Sequence, residues 1–272
     1  MSLSVSVILS TYNNPRALNL VLAGVARQTR LPEEVVIADD GSAAETRVLV
    51  ERWVPRLPFP LRHVWHPDQG FRKCQILNRA LAAASGAYLV FFDGDCIPSA
   101  HCLAVHVAYA APDRYVAGGK VMLGARLSAA LQERDVACGL LDGVGWWWLG
   151  VEKKHRLILG HLPGLRAALD RRVKRKPGWR GENSSAWATH VRAVGGFDER
   201  FTYGYEDADF GQRMQFAGLT SHSVRYTAPV YHLDHPRPWR TEAVVAANRA
   251  LYEANRAARL VVTPHGLRSD AR

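Results

Sequence analysis

The stretch Tyr88-Leu-Val-Phe-Phe-Asp93-Gly-Asp95 decides the fold of this chain. Its first five residues are apolar or aromatic and rich in β-formers, which predicts a strand buried on both faces. The strand stops at two carboxylates separated by a glycine. In open α/β sheets, ligands bind in the crevice outside the carboxyl ends of the strands. We therefore expect Asp93 and Asp95 to face one hard cation, because such cations prefer oxygen ligands.

An Asp-x-Asp pair is weak evidence for a metal site when it stands alone, and Asp207-Ala-Asp209 is a second such pair in this chain. The surroundings distinguish the first pair. A strand precedes it, a turn glycine lies inside it, and Cys96-Ile97-Pro98 leads from it towards a helix.

Strand and helix patterns alternate along the first half of the chain. The predicted strands are residues 5–9, 34–38, 61–65 and 88–92, and the predicted helices are 15–28, 46–54 and 76–84. Such alternation is typical of a mostly parallel sheet with right-handed crossovers. The predicted fold class is therefore α/β, with a central sheet flanked by helices, a less regular helical insertion and a C-terminal helix.

Three of these strands end in polar clusters: Ser10-Thr11-Tyr12, Asp39-Asp40 and Asp93-Gly-Asp95. For any one cluster, carboxylates that cap a loop are the simpler interpretation. All three clusters fall on the same edge of one parallel sheet, however, so we favour a shared ligand at that edge.

The pattern loosens between residues 120 and 180, which hold Trp146-Trp147-Trp148 and a basic tract from Lys153 to Arg180. Two interpretations stay open: an amphipathic segment lying on an anionic bilayer, or a solvated helix that covers the core. Order returns after residue 181. The sequence then predicts a helix at 210–217, separate short strands at 224–226 and 230–231, a terminal helix at 244–258, and a frayed last dozen residues.

Bulk composition narrows the class of protein. The 272 residues are 48% hydrophobic and 22% charged, which is typical of a globular chain. The net charge of +10 indicates an anionic partner such as a nucleotide or a membrane face, or a charge kept only for solubility. Four cysteines without metal-ligand spacing, and no signal peptide or spanning segment, favour a cytoplasmic protein with at most peripheral contact with the inner membrane face.

The residues alone indicate metal-assisted chemistry on a phosphate-bearing substrate. The chain combines several acidic clusters with a His232-x-x-His235 pair and a turn that carries Arg72 and Lys73. It contains neither the glycine-rich lysine loop of P-loop enzymes nor the dinucleotide-binding glycine pattern after a strand, so those two classes lose their main support.

Four motifs, in this order and spacing, resemble family 2 glycosyltransferases of the GT-A fold. They are Ser-Val-Ile-Leu-Ser-Thr-Tyr-Asn13, Val-Val-Ile-Ala-Asp-Asp40-Gly-Ser42, the stretch ending at Asp95, and Gly-Gly-Phe-Asp198 with Glu206-Asp207. The resemblance covers residues 3–119 and 181–236. The later part is also similar to the galactosyltransferase-type C-terminal module of chain polymerases and β-1,4-galactosyltransferases.

The resemblance implies a division of the chain and a nucleotide pocket. Residues 1–119 would bind the nucleotide sugar, 120–180 would be an insertion, 181–240 would serve the acceptor and catalysis, and 241–272 would be a C-terminal helix and tail. Thr11, Tyr12 and Asp40 would hold the nucleobase, with Asp40 accepting a hydrogen bond from a uracil N–H. Asp39 would support the loop.

The diphosphate and cation sites follow from the same resemblance. Arg72 or Lys73 would meet the diphosphate, although a surface salt bridge is an alternative for either residue. Asp93 would touch the ribose or the metal. Asp95 would bind a divalent cation, Mn²⁺ or Mg²⁺, that bridges the two phosphates.

The later module implies the remaining ligands and the catalytic pair. His235, or with less support His232, would be a metal ligand. Asp207 would be the catalytic base, since transfer to a hydroxyl needs a carboxylate within reach of the O–H. Glu206 would bind the acceptor or donor sugar, although a helix N-terminal charge pair is an alternative for both acids.

The resemblance thus implies an inverting, metal-dependent transferase that moves a hexose or hexosamine from a nucleotide sugar, UDP-linked, to a glycan or glycolipid acceptor of cell-surface polysaccharide or lipopolysaccharide synthesis. Two other classes stay open. A nucleotidyltransferase shares strand-end carboxylates but carries a glycine-rich basic loop after its first strand, which is missing here. A nucleic-acid binder would use the basic tract, yet no nucleic-acid-binding motif is present, so we expect no nucleic-acid partner.

Overall fold

The computed structural model describes residues 3–143, 151, 163–173, 178–236 and 239–267. Within these residues, eight strands form one sheet in the order β3-β2-β1-β4-β7-β6-β8-β5. The strands are β1 Val5–Thr11, β2 Glu34–Asp39, β3 Leu61–Trp65, β4 Tyr88–Asp93, β5 Cys96–Pro98, β6 Arg114–Met122, β7 Ser184–Trp187 and β8 Thr220–His232. Pairing is parallel among β1 to β4 and between β6 and β8, whereas β7 and β5 run against their neighbours.

Helices lie on both faces of the sheet. They are α1 Pro15–Ala26, α2 Ala44–Trp53, α3 Lys73–Ala83, α4 Cys102–Ala108, α5 Ala125–Ala130, α6 Glu133–Ala137, α7 Pro163–Arg171, α8 Ala188–Ala193, α9 Glu206–Phe216 and α10 Glu242–Ala257. The predicted α/β class with a mostly parallel, helix-flanked sheet is confirmed.

The central strand β4 shows why the sheet needs helices on both faces. Val90 and Phe92 belong to one buried apolar layer, and Leu89 and Phe91 belong to the other. Each such side chain contributes about 1.5–3 kcal/mol when it is removed from water. The uninterrupted apolar run of the sequence therefore marks a strand with no solvent face, as predicted.

Two expectations for the later half are wrong. Residues 224–226 and 230–231 belong to one strand, β8, whose register against β6 shifts between Gly118 and Gly119. The sequence pattern breaks at this irregularity, although the pairing continues beyond it. The last dozen residues are also not frayed where they are described, since Thr263 donates a hydrogen bond to the buried Asp198 and the Leu267 N–H donates to the Gly195 carbonyl.

Asn183 fixes the irregular joint between β6 and β8. Its fully buried side chain donates to the Gly119 and Ala228 carbonyls, at 2.9 and 2.8 Å, and its Oδ1 pairs with His106 Nε2 at 2.8 Å. A Cβ at Gly118 would lie 2.1 Å from Asn183 Nδ2, so the strand needs glycine there. One amide thus ties the two strands together where their regular ladder is interrupted.

Part of the insertion lies outside the described residues. This applies to Trp146–Trp148 and to half of the basic tract, of which residues 163–173 and 178–180 are described. No helix in the described part of the chain is long and apolar enough to cross a membrane. Contact with an anionic membrane surface stays a prediction.

Replacement of Asn183 by alanine should lower the free energy of unfolding by about 2–4 kcal/mol, because it removes the amide partner of two carbonyl oxygens and of His106 Nε2 in a buried site. Urea unfolding followed by circular dichroism measures the change. Gln69→Ala, which removes an exposed amide, is the control. A loss for Asn183→Ala no larger than that of the control would contradict the assigned role.

Candidate active site

A cleft of about 1020 Å³ lies at the carboxyl ends of the parallel strands. Predicted site residues from distant parts of the chain line it together: Thr11, Tyr12, Asp40, Lys73, Asp93, Asp95, Glu206, Asp207, His232 and His235. Strand direction explains this arrangement, since the ends of β1, β2, β4 and β8 meet at one edge of the sheet.

The pairing of β5 with β8 brings Asp95 to the two histidines. Cys96 lies opposite His232 in this antiparallel ladder, and the Leu233 N–H donates to the Asp95 carbonyl at 3.0 Å. His232 Nε2 lies 3.8 Å from Asp95 Oδ1, and His235 Nε2 lies 2.8 Å from Asp95 Oδ2. The ligand atoms of the three side chains all lie within 4.8 Å of one another.

Both imidazoles turn their Nε2 atoms towards Asp95. Nδ1 of His232 lies 2.7 Å from the Leu233 carbonyl oxygen, and Nδ1 of His235 lies 2.7 Å from the Pro236 carbonyl oxygen. A carbonyl only accepts, so each Nδ1 carries a proton and donates it. Nε2 is the atom of each ring that faces Asp95. In His235 it donates a proton to the carboxylate, and a bound cation would replace that proton and take the Nε2 lone pair. One carboxylate and two imidazoles fit a divalent transition ion better than Mg²⁺, which prefers oxygen ligands.

Asp95 keeps its negative charge in this setting. Burial alone would raise its pKa, but the hydrogen bond from His235 and the charges of His232 and His235 outweigh burial and hold the pKa well below its usual range. Asp95 therefore reaches the cation site as a carboxylate at neutral pH.

Asp93 lies beside the cation site but is bound by a lysine. Its Oδ1 accepts from Lys73 Nζ at 2.7 Å and from the Ser10 hydroxyl at 2.7 Å. Burial would lower the pKa of Lys73, yet the charges of Asp93, Asp207 and Glu206 raise it well above its ordinary value. Lys73 is thus a fixed cation among the acids of the cleft.

Glu206 and Asp207 begin α9 on a strained turn. Tyr205, the residue before them, has a φ of 68°, a left-handed conformation that is costly for a tyrosine. Buried Asn248 of α10 stabilises this turn, since its amide donates to the carbonyls of Tyr203 and Gly204 at 3.0 and 2.9 Å. The C-terminal helix therefore helps to position the acidic pair.

The two carboxylate oxygens of Asp207 differ in their hydrogen bonding. Oδ2 accepts from the Gly181 N–H at 2.9 Å, whereas Oδ1 is buried with no hydrogen-bond partner among the described residues. Burial and the neighbouring charge of Glu206 raise the pKa of Asp207 to about 8, although Lys73 opposes the shift. Burial also raises the pKa of Glu206. Because buried polar atoms normally have a hydrogen-bond partner, Asp207 Oδ1 is a candidate acceptor for a group of a bound ligand.

Hydrogen bonds hold both acids of the predicted nucleobase pocket, Asp39 and Asp40, in place. Buried Asp39 accepts from the Ser42 N–H at 2.8 Å and pairs with His63 Nε2 at 2.8 Å, so it holds the loop after β2. Asp40 pairs with His66 Nε2 at 2.8 Å and accepts from the Arg72 N–H at 2.9 Å. Burial raises the pKa of Asp40, partly offset by these bonds.

Tyr12 closes the outer side of that pocket. Its hydroxyl donates to Asp68 at 2.8 Å, and its ring meets Trp239 edge to face at a centroid distance of 5.4 Å. Thr11, at the end of β1, also lines the cleft.

Arg72 does not join the other predicted residues. Only its backbone contacts Asp40, and its exposed side chain lines a neighbouring pocket instead of the cleft. The lysine beside it enters the cleft because it begins α3 on the inner side.

Sequence reasoning missed several residues of the cleft. Lys120 lines the cleft and pairs with Glu182 at 3.1 Å, and neither residue belongs to one of the four motifs. Trp179, Tyr203 and Trp239 add aromatic surface to the lining. The dense tryptophans and tyrosines around residues 179–205 were the available signal, but only the fold brings them to the cleft.

Comparison with known protein families gives two matches. Residues 6–145 match Glycosyl transferase family 2, and residues 171–236 match the N-terminal domain of galactosyltransferase. A validoxylamine A glucosyltransferase of Streptomyces hygroscopicus subsp. limoneus is 30% identical over 231 residues, which are 79% of this chain and 48% of that protein. The chain thus spans about half the length of this relative.

Solved structures share the fold. The mannosyltransferase PcManGT from Pyrobaculum calidifontis, in complex with GDP-Man and Mn²⁺, superposes with a TM-score of 0.62 at 21% identity, covering 95% of this chain and 64% of that one. Residues 1–349 of S. aureus TarS in complex with UDP give a TM-score of 0.56 at 18% identity, covering 86% and 61%. The predicted GT-A fold is confirmed.

Asp207→Asn should make the protein more stable above neutral pH. Because folding raises the pKa of Asp207 from 3.8 to about 8, the folded state keeps a proton that the unfolded chain releases, and stability falls as pH rises through this window. Asparagine cannot titrate, so the melting temperature of the variant should exceed that of wild type increasingly from pH 5.5 to 8.5, by roughly 2–4 °C per kcal/mol recovered.

The control for this experiment is Asp113→Asn. Asp113 is exposed, and its bond with Arg114 lowers its pKa, so it is charged in both states throughout this range. Its replacement should leave the dependence of the melting temperature on pH unchanged. If the melting temperatures of wild type and Asp207→Asn depend on pH in the same way, Asp207 does not titrate as described.

Proposed function

The chain belongs to glycosyl transferase family 2, and we propose that it transfers a hexose or hexosamine from a UDP-sugar to a glycan or glycolipid acceptor, with inversion at the anomeric carbon and with a divalent cation. One observation carries the proposal. Asp40, Asp95 and Asp207, from three separate segments, line the same cleft.

The donor would lie along the strand ends. The uracil N–H would donate to Asp40, whose two oxygens each accept one bond and retain a second lone pair. The UDP bound to TarS supports this choice of nucleotide. The diphosphate would then lie over β4, next to Lys73 and the Asp95 cluster.

Asp95, His232 and His235 would hold the cation, and the Mn²⁺ of PcManGT supports manganese. When bound, the cation would supply positive charge to the leaving diphosphate. Asp93, already bound to Lys73, would contact the ribose or complete the ligand set.

Asp207 would act as the base. Its open Oδ1 would accept the proton of the acceptor hydroxyl while the hydroxyl oxygen forms a bond to the anomeric carbon. The bond from that carbon to the diphosphate oxygen breaks, and the nucleoside diphosphate leaves with the electron pair. Glu206 would hold a sugar hydroxyl, and Lys73 would keep the acidic pair ordered between turnovers.

Wild-type protein with Mn²⁺ should release nucleoside diphosphate from a UDP-sugar in the presence of a glycan acceptor. Asp207→Asn should lower the rate of this release by about 10²–10⁴-fold, because the substitution removes the base. Proton NMR of the product should show the inverted anomer. The rate of the wild type should rise with pH as Asp207 loses its proton. Undiminished transfer by Asp207→Asn would exclude this residue as base.

A further inference from the structure

A second pocket, of about 450 Å³, opens beside the cleft. Phe71, Tyr203 and Trp239 line both cavities. The Phe71 ring lies 5.6 Å from that of Tyr203 and 6.4 Å from that of Trp239, between centroids. The two cavities therefore share a wall of aromatic rings.

The chemistry of the pocket suits a sugar. Its volume lies within the range of small-molecule sites, and its rings offer flat surfaces to the C–H face of a pyranose. Gln69, Gln75 and Thr202 add amide and hydroxyl groups that can bind sugar hydroxyls.

The pocket also contains an arginine without an ion pair. Arg72 is an exposed lining residue, and its guanidinium pairs with no carboxylate among the described residues. Glu199, also a lining residue, carries the opposite charge, but it accepts from the Asn78 amide at 2.9 Å and forms no ion pair with Arg72. A guanidinium presents a planar fork of donors that matches a carboxylate or a phosphate. Arg72 is therefore available to an anionic ligand.

The pocket lies next to the proposed reaction centre. Arg72 directly precedes Lys73, whose Nζ is 2.7 Å from Asp93, and Tyr203 lies three residues before Glu206. The aromatic wall thus joins the cleft that contains Asp207 to the second pocket.

We propose that this pocket binds the second sugar unit of the acceptor and that this unit carries a carboxylate or phosphate held by Arg72. The proposal rests on glycosyl transfer at Asp207 and adds the acceptor class: an acidic glycan of at least two units. Arg72 thereby determines acceptor specificity and takes no part in donor binding.

Matched disaccharides test this assignment. They share one linkage and one accepting sugar, and their distal unit is glucose, glucuronate or glucose 6-phosphate. Wild type should use an acidic acceptor with a kcat/KM at least about tenfold above that of the neutral one, equivalent to about 1.4 kcal/mol. The glucuronate and phosphate arms identify which anion is preferred.

Arg72→Ala should abolish this preference and leave the donor KM and the slow hydrolysis of the donor unchanged. The variant should fold, because the bond to Asp40 comes from the backbone N–H, which alanine retains. Arg79→Ala, at an exposed arginine of α3 outside both cavities, is the matched control. Equal use of neutral and acidic acceptors by wild type, or a raised donor KM in Arg72→Ala, would overturn the proposal.

Saturation-transfer NMR separates this inference from the proposed function. The same disaccharides are added to wild type and Arg72→Ala without donor. Stronger binding of the acidic compounds that depends on Arg72 supports the pocket even if no UDP-sugar is turned over, and binding that is equal in both proteins, or undetectable, contradicts it. Absence of nucleoside diphosphate release with every donor would count against the transferase activity alone.

Discussion

The antiparallel pairing of Cys96 with His232 is the contact on which the proposed reaction centre depends. β5 is only three residues long, yet it attaches the chain just after Asp95 to the end of β8. Backbone hydrogen bonds fix this register, and a slip of one residue would turn His232 to the other face of the sheet. The backbone of these two strands therefore determines that Asp95 and His232 lie beside each other.

The same edge concentrates negative charge, which opposes folding. Five carboxylates of the described residues line the cleft, those of Asp40, Asp93, Asp95, Glu206 and Asp207. Lys73 and the two histidines offset part of the repulsion, but burial and the charge of Glu206 still raise the pKa of Asp207. A cation and a substrate hydroxyl would relieve the remaining strain, so the features that make the site unfavourable in isolation are those that favour a ligand. Functional sites commonly contain groups that lower the stability of the folded protein in this way.

The first half of the fold could be predicted from sequence because its information is local. Apolar runs mark the strands, and the alternation of strands with helices puts the polar ends of the strands at one edge, so the sequence alone predicts that Asp40 and Asp95 lie at the same edge. The later half depends on contacts between distant residues. β8 was interpreted as two strands because its irregular joint is held by Asn183, from another part of the chain. The sequence does not distinguish which of the neighbours Arg72 and Lys73 enters the cleft. The structure does, because α3 begins at Lys73, which lines the cleft, whereas Arg72 lines the second pocket. Lys120 and Glu182 have no local sequence signal of a shared site, and the aromatic residues near 179–205 have only their density as a signal.

The location of the cation tests the account most directly. Crystals grown with Mn²⁺ and UDP, measured at the manganese absorption edge, should show one anomalous peak between Asp95, His232 and His235, within about 2.0–2.4 Å of their ligand atoms. The peak should disappear in Asp95→Asn and persist in Asp113→Asn. A peak bound elsewhere in the cleft, or UDP bound with no manganese beside Asp95, would contradict the proposed site.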